Sequence, residues 1–387
     1  MPSDSIFYLS SIFLMFALMG YFFLKYFDRE SNKKINPDYL TGLKYLLNDE
    51  SDKAIDLFSN IIEIDDETIQ THLALGVLFR RQGKIDKAIR LHENILNKPD
   101  LDEEYYYQTL HELGENYFVA GIYDKAENVF EKLKTVEEQK ISCLEKLIII
   151  YEYMSQWEKA LENLEELSKI DPDNKYLTST SHYYCQLTQK HIDQNDIGTA
   201  ETFLKKAKYN NPNSIRQLYL SSKIALYKSD KSNALKFYAE MIDKNILAHL
   251  ILLPLILNKI DNHNDNDLNI ILENTIKKNP DTKKYLAVIS VMFPNFNNKY
   301  LFNSFKEHIQ KHTIINELIK QHHETKSITL IDDPLINTLR TIINNKTKND
   351  YKYSCSQCGY KTIRHSWQCP TCKSWEKSEP VDFLEKI

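Results

Sequence analysis

Glycine is scarce in this chain: 8 residues of 387, about 2% against a usual ~7%. A fold built on tight turns and phosphate-cradling loops would be starved at that level. Doubly wound nucleotide-binding folds, propellers and sandwiches are therefore disfavoured, and long helices on short polar connectors fit better. An excess of either charge is also missing. Forty-nine basic residues meet 54 acidic ones for a net −5, so nothing points to a polyanionic partner and nucleic acid is not expected. Cysteine is rare until the end: before the last 33 residues there are only Cys143 and Cys185. Both are isolated in apolar helical contexts and read as reduced core thiols. What is left is 42% hydrophobic and 27% charged, the balance of an ordinary folded protein. The length allows two or three domains or one long array.

The middle of the chain repeats. An alanine with an acidic or polar lead-in and a bulky residue four places on recurs at Ala54, Ala88, Ala126, Ala160, Ala200 and Ala234, at separations of 34, 38, 34, 40 and 34. Thirty-four is the period of the tetratricopeptide repeat, two antiparallel helices per unit. Twelve residues before each alanine the first helix wants a small residue. Gly42, Gly76 and Gly114 supply it; Ile148, Thr188 and Ser222 do so less well. Gly76 and Ala88 let the two helices of one hairpin approach, while Phe79, Leu91 and Ile95 fill the space against the next. No unit buries its apolar face alone, so stacking supplies the core and leaves a concave surface. Pro172 and Pro212 close two units. After about residue 245 the pattern decays. Segments 246–260, 267–278, 283–293, 301–322 and 334–345 still space apolar residues as helices, broken at Pro254, Pro280, Pro294 and Pro334, and read as degenerate repeats.

At the amino end, Ser5 to Leu24 is an uncharged run of twenty, enough at ~1.5 Å per residue to span a ~30 Å hydrocarbon layer. It lacks the basic start, short core and small-x-small ending of a cleaved signal, so it reads as an anchor. The cations Lys25, Arg29, Lys33 and Lys34 all follow it. Positive flanks stay inside, which predicts an outward-facing amino terminus, a single pass and a cytoplasmic bulk.

The chemistry sits at the other end. Cys355 and Cys358 form one C-x2-C knuckle, Cys369 and Cys372 another, ten residues apart. Two knuckles can bring four thiolates into a tetrahedron that suits Zn²⁺ or a single iron. Gly359 and Pro370 help the backbone turn its N–H groups towards sulfur, and Trp367 and Trp375 cap a module too small for a core of its own. The metal supplies much of its folding energy. Protein fills all four positions and leaves no place for substrate, so the role is structural or redox and no enzyme activity is expected.

Other residues invite stronger readings than they support. His308 and His312, four apart, read as surface histidines rather than a ligand pair, and His322, His323 and Glu324 as a polar helix end. Tyr105, Tyr106 and Tyr107 read as helix surface and core. Arg80, Arg81 and Arg90 form a basic cluster in the best-formed repeat and are candidates for partner contact.

The segments THLALGVLFRRQGKIDKAIRLH, AGIYDKAENVF, SQWEKALENLEEL, SHYYCQL and CSQCGYKTIRHSWQCPTCKSW, in this order and behind an anchor, resemble those of the lipopolysaccharide assembly protein B family of bacterial inner-membrane proteins. The resemblance covers essentially the whole chain. It implies an all-α fold: a tetratricopeptide superhelix (solenoid) with an amino-terminal transmembrane helix and a small rubredoxin-like, zinc-ribbon-like knuckle domain. On that plan residues 1–25 are the anchor, 26–36 a juxtamembrane linker, 37–245 repeats one to six, 246–350 degenerate repeats and 351–387 the metal domain. It further implies a cytoplasmic adaptor that promotes degradation of the committed-step lipid A deacetylase by a membrane ATP-dependent protease. Other membrane proteins of lipopolysaccharide synthesis and transport join its expected partners, as does a second copy of the chain. The family's metal ligands fall on Cys355, Cys358, Cys369 and Cys372, with iron implied by the resemblance and zinc equally suited chemically. A different class of function is an electron-transfer protein with iron at the four cysteines and the repeats as a docking arm. The chain departs from the family in its aromatic anchor and in its Lys/Asn-rich stretch 258–350, so partner contacts there do not transfer.

Overall fold

A computed structural model describes residues 68–171, 176–245, 248–259, 265–293, 298–309, 334–346 and 348–381, with a few isolated positions before residue 68. The expected anchor, the linker and the repeat around Ala54 lie outside the described residues but for those positions. Among the described residues no helix is long and apolar enough to cross a membrane.

The chain divides into two compact units, 1–139 and 140–387. In the first, α1 (Ile69–Arg81) pairs with α2 (Ile85–Leu96) and α3 (Glu103–Val119) with α4 (Tyr123–Leu133), followed by a 3₁₀ turn at Glu137–Gln139. The second holds three further hairpins: α5 (Lys140–Tyr153) with α6 (Trp157–Ile170), α7 (Leu177–Asp193) with α8 (Ile197–Asn210), and α9 (Ile215–Tyr227) with α10 (Lys231–Lys244). Then come α11 (Ala248–Ile251), α12 (Leu253–Lys259), α13 (Asn266–Lys278), α14 (Thr282–Met292), α15 (Lys299–Ile309) and α16 (Pro334–Lys346). Between residues 248 and 346 the described residues are thus mostly helical, and Pro334 opens a helix, where its missing N–H costs nothing. A three-stranded antiparallel sheet ends the chain: β1 (Tyr353–Cys355), β2 (Lys361–Thr362) and β3 (Ser378–Pro380), in the order β2-β1-β3. Tyr353 faces Thr362 on one side and Pro380 on the other.

The alanine ladder is a row of helix contacts. Ala88, Ala126, Ala160, Ala200 and Ala234 are all fully buried. Opposite them, a Cβ on Gly76 would lie 2.1 Å from His92 Nε2, and one on Gly114 2.9 Å from Val129 Cγ1. Where serine replaces glycine, its hydroxyl finds work: Ser222 Oγ donates to the Ala234 carbonyl across the hairpin at 3.0 Å. Phe79 and Ile95 are at most 1% exposed, and burying such a side chain is worth ~1.5–3 kcal/mol.

Each hairpin turns the same way without needing glycine. The residue five before each of these alanines has positive φ: Gly83 (77°), Gly121 (74°), Ser155 (57°), Asn195 (60°) and Ser229 (58°). The next residue's N–H then reaches back to a carbonyl in the last turn, Lys84 to Phe79 at 2.9 Å and Asp230 to Ala225 at 2.8 Å. Such a left-handed cap satisfies carbonyls the helix would otherwise leave open. Three of five turns accept a side chain there, at a cost of ~1–2 kcal/mol. That explains how the array runs on so little glycine.

After the hairpins, Leu252, Leu253, Ile256, Leu268, Leu272, Leu286, Ile289, Leu301 and Phe305 form one core with Tyr238 and Met241 of α10 and Tyr353 of β1. Arg340 of α16 is 1% exposed and donates to the Ser290 and Phe293 carbonyls at 2.8 and 3.4 Å. It fastens α16 over the end of α14.

Gly76→Ala is expected to lower stability by ~1–3 kcal/mol, because the buried His92 ring has to shift. Gly83→Ala, with nothing within 4 Å of the new methyl, should cost only its backbone strain, ~1–2 kcal/mol. Urea unfolding midpoints of the two variants measure the difference, and a Gly76→Ala protein as stable as wild type would contradict the close-approach reading.

Candidate metal centre and its seat on the repeat helices

β1 delivers Cys355, and the chain then folds back so that the Gly359 N–H donates to the Cys355 carbonyl at 2.9 Å. Gly359 has φ 73°. The second knuckle makes the same turn, with the Lys373 N–H on the Cys369 carbonyl at 2.9 Å, but there Lys373 takes the left-handed position (φ 58°). Pro370 lies inside this second turn. The local folding brings all four sulfurs within 4.8 Å of one another. Cys355 and Cys372 are 3.8 Å apart, Cys358 and Cys369 3.6 Å. A tetrahedral metal with ~2.3 Å bonds to sulfur requires edges of ~3.8 Å, and these two pairs stand close to that spacing.

The electrostatics ask for a cation as well. Burial opposes ionisation of Cys355, yet the N–H groups of Cys358 and Gln357 and the Ser374 hydroxyl pull that thiol down to about 6. The Ser374 hydroxyl, 3.1 Å from its sulfur, likewise lowers Cys372. Cys358 goes the other way. The Tyr360 N–H favours its thiolate, but burial and the three neighbouring thiols push it up to about 12. Four thiolates at this spacing repel one another, and only a bound cation lets the last proton leave. Cys355 and Cys369 are buried while Cys358 and Cys372 face solvent, so one edge of the cluster is open to water. Zinc or iron held there would cross-link the two knuckles.

The module does not stand alone. Trp367 and Trp375, expected to cap it, turn outward onto the repeat helices. Trp375 stacks on His182 of α7, centroids 4.5 Å apart and planes at 8°, and meets Tyr183 edge-on at 6.3 Å. Trp367 leans on Tyr219 of α9 at 5.3 Å. Between the indoles lies Arg216 of α9, 2% exposed, with its guanidinium 5.6 Å from Trp375 and 5.8 Å from Trp367. A buried cation has to be compensated. Two ring faces do part of this, the His182 carbonyl at 3.4 Å adds a hydrogen bond, and Glu376 brings the opposite charge. The Glu376 carboxylate accepts from the Ser214 hydroxyl and, at 3.0 Å, from the Arg216 N–H, at the open amino end of α9 where an anion is favoured. Gln368 and Tyr183 both donate to the Glu152 carboxylate of α5. Lys373 Nζ sits 4.5 Å from the Tyr153 ring. The metal module therefore grips three successive first helices of the repeats, α5, α7 and α9.

Those contacts were not among the expected site residues. The one hint in the sequence was two tryptophans in a short module with nothing inside it to cover. Nothing marked His182, Arg216 or Glu152 as their receivers.

The three arginines of the basic cluster differ in their surroundings. Arg80 bonds inward, 2.7 Å from Glu112 and donating to Asn116 Oδ1 at 2.8 Å. Asn116 in turn bonds His92 at 2.8 Å, and burial holds that imidazole down to about 4. Arg80 is thus a fastener between α1 and α3, whereas Arg81 and Arg90 are exposed. Of the tyrosines, Tyr105 packs on Ile69, Leu73 and Ile95, Tyr106 is exposed and Tyr107 donates to Glu103 at 3.2 Å. His308 is half-buried on α15; His312, His322, His323 and Glu324 lie outside the described residues. Cys143 and Cys185 are fully buried, and burial pushes the Cys185 thiol up to about 12.

Two outcomes follow. Purified chain should carry one zinc or iron per molecule, and Cys355→Ser/Cys369→Ser should carry none by elemental analysis; equal metal content in the two would contradict a four-thiolate site. The seat should also weaken in acid. Burial lowers His182 to about 3 and His365, which packs on Trp367 at 4.6 Å, to about 4. Above pH ~6.5 both are neutral folded or unfolded, and their contribution is fully present. Below it the unfolded chain takes up protons that the folded one refuses, so stability falls by up to ~1.4 kcal/mol per pH unit for each histidine. Tryptophan fluorescence in urea at pH 7.5 and 5.5 measures this, with His182→Asn flattening the dependence.

Comparison with known proteins places these features together. Residues 353–377 match the family model described as rubredoxin metal binding domain, and residues 71–104 match that of the tetratricopeptide repeat. Lipopolysaccharide assembly protein B of Escherichia coli (strain K12) is 26% identical over 365 residues, covering 93% of each chain. The protein of the same name from Haemophilus influenzae is 27% identical over 371 residues, 92% of each. Among solved structures, a tetratricopeptide repeat protein from Parabacteroides merdae overlaps 66% of this chain and 98% of its own at 15% identity, with a TM-score of 0.35. Along nearly its whole length the chain is similar to the proteins named lipopolysaccharide assembly protein B, with helical repeats of tetratricopeptide type leading to a rubredoxin metal binding domain.

Proposed function

We propose that this chain is a membrane-anchored adaptor of lipopolysaccharide assembly, without enzyme activity of its own. The observation that carries the reading is the likeness to lipopolysaccharide assembly protein B over 93% of both chains, beside this chain's own matches to the tetratricopeptide repeat and the rubredoxin metal binding domain. The geometry supports it. Stacked hairpins offer extended surfaces for proteins rather than an enclosed site for a substrate. The four thiolates leave no position on a bound ion for a reactant. The metal's contribution is a structural cross-link that keeps Trp367, Trp375 and Glu376 in register with α7 and α9.

In this proposal residues 1–25 cross the inner membrane once, the amino terminus is periplasmic, and the repeats and metal module are cytoplasmic. The repeats receive the lipid A deacetylase, and the anchor keeps that cargo beside a membrane ATP-dependent protease. Confinement of this kind raises effective concentration to ~mM without any new contact. Arg81 and Arg90, exposed on the first described hairpin, are assigned to partner contact; Arg80 holds α1 and α3 together and supports that surface from within.

Depletion of the chain should lengthen the deacetylase half-life several-fold and raise lipopolysaccharide, measured by pulse-chase and immunoblot in the native bacterium. An unchanged half-life sinks the proposal. If the zinc-loaded form restores the short half-life in full, the electron-transfer reading fails, since zinc has no redox chemistry; restoration by the iron form alone would favour it.

A further inference from the structure

The metal module occupies one side of α9, and the opposite side carries a groove the function above leaves unused. It lies among α8, α9 and α10 and encloses about 490 Å³. Leu204 of α8 and Ile224 and Ala225 of α9 form its floor, and Phe237 of α10 walls one end. Helical geometry keeps the two faces apart. At 3.6 residues per turn, positions nine apart point in opposite directions. Arg216 and Tyr219 face the module, so Ala225 and Lys228 face away from it. The groove therefore stays open while the module is seated.

Its charges are unequally spent. Two carboxylates line the groove, and both are engaged: Glu201 with Lys228 at 2.5 Å, and Asp230 capping α10 through the Asn233 N–H at 3.1 Å. Two lysines on its α8 wall have no carboxylate within ion-pair distance among the described residues. Lys205 is exposed, and Lys208 lies with its ammonium 5.4 Å from the Phe237 ring. Glu240 of α10 acts on Lys208 from beyond ion-pair distance, so neither lysine is held in an ion pair. An apolar floor beside two cations one helical turn apart (i, i+3), neither in an ion pair, is complementary to a segment that carries an acidic residue next to bulky apolar ones.

We infer that the groove between α8, α9 and α10 binds an acidic, apolar peptide segment of a partner protein. The apolar side chains lie on Leu204, Ile224 and Phe237, and the carboxylates meet Lys205 and Lys208. An open channel between helices admits a chain passing through, as helix-in-groove recognition requires. This surface does not depend on which partner the preceding section names.

The test uses the full metal-loaded chain and a fluorescein-labelled twelve-residue peptide made of three Glu-Asp-Leu-Phe repeats, read by fluorescence anisotropy. Binding should saturate and weaken with salt. It should be lost when the acids become Gln and Asn, or when Leu and Phe become Ser. Lys205→Glu/Lys208→Glu, a surface change that leaves the core intact, should weaken binding roughly tenfold or more. Lys236→Glu, exposed on α10 outside the groove, should leave it unchanged. No binding at 1 mM peptide (about the weakest affinity that still counts as recognition), equal loss in the Lys236→Glu protein, or full binding by the double reversal each overturns the proposal. Vesicles of anionic phospholipid form the second arm. Capture by vesicles that needs Lys205 and Lys208, without peptide binding, assigns the groove to lipid and also overturns it.

Discussion

Neither a 34-residue hairpin nor a small metal knuckle can bury its own apolar surface, and each solves the problem with a neighbour. The hairpins do so through close contact at Gly76, Gly114, Ser222 and the buried alanines, which bring backbones near enough for Phe79, Ile95 and their counterparts to interlock. The knuckle does so by turning its tryptophans out rather than in. Trp375 on His182 and Trp367 on Tyr219 make α7 and α9 serve as the module's missing core. One constraint, too little interior per unit of chain, thus shapes both the repeats and the seat of the metal domain.

Arg216 shows how closely that seat is specified. A cation at 2% exposure would be costly alone, and it is tolerable because two indoles, a carbonyl and Glu376 surround it. None of these compensating groups is near it in the chain, except the neighbouring Ser214 that helps hold Glu376. The arrangement links the metal to the repeats along a short path. Cys372, Ser374, Trp375 and Glu376 are consecutive or nearly so, and each touches either a thiol or a repeat helix. A change in how the second knuckle is held would reach α7 and α9 through covalent neighbours.

Much of this was legible in the residues. The alanine ladder located the five hairpins between Ile69 and Lys244, because close helix contact restricts side-chain size at fixed intervals. The two C-x2-C knuckles announced four clustered thiols, because a local turn pairs the cysteines of each knuckle and only a short segment separates the two. The turns were only half legible. Gly83 and Gly121 could be read, whereas Ser155, Asn195, Ser229 and Lys373 take the same left-handed backbone without a residue type that advertises it. Arg80 was legible only in part, for a related reason. Its neighbours in sequence, Arg81 and Arg90, suggested a patch, but its real partners Glu112 and Asn116 belong to the next hairpin.

The sequence by itself determined the period, the helix-contact positions, the thiolate set and the exclusion of glycine-dependent folds, since each depends on spacing along the chain or on composition. Only the tertiary structure decided that the tryptophans grip α7 and α9, that Arg216 lies buried between them, and that Lys205 and Lys208 border a groove on the far side. Those facts join residues up to about 200 positions apart. The physical reason is that burial and charge compensation depend on distance in space, and the linear order of residues carries no direct record of it.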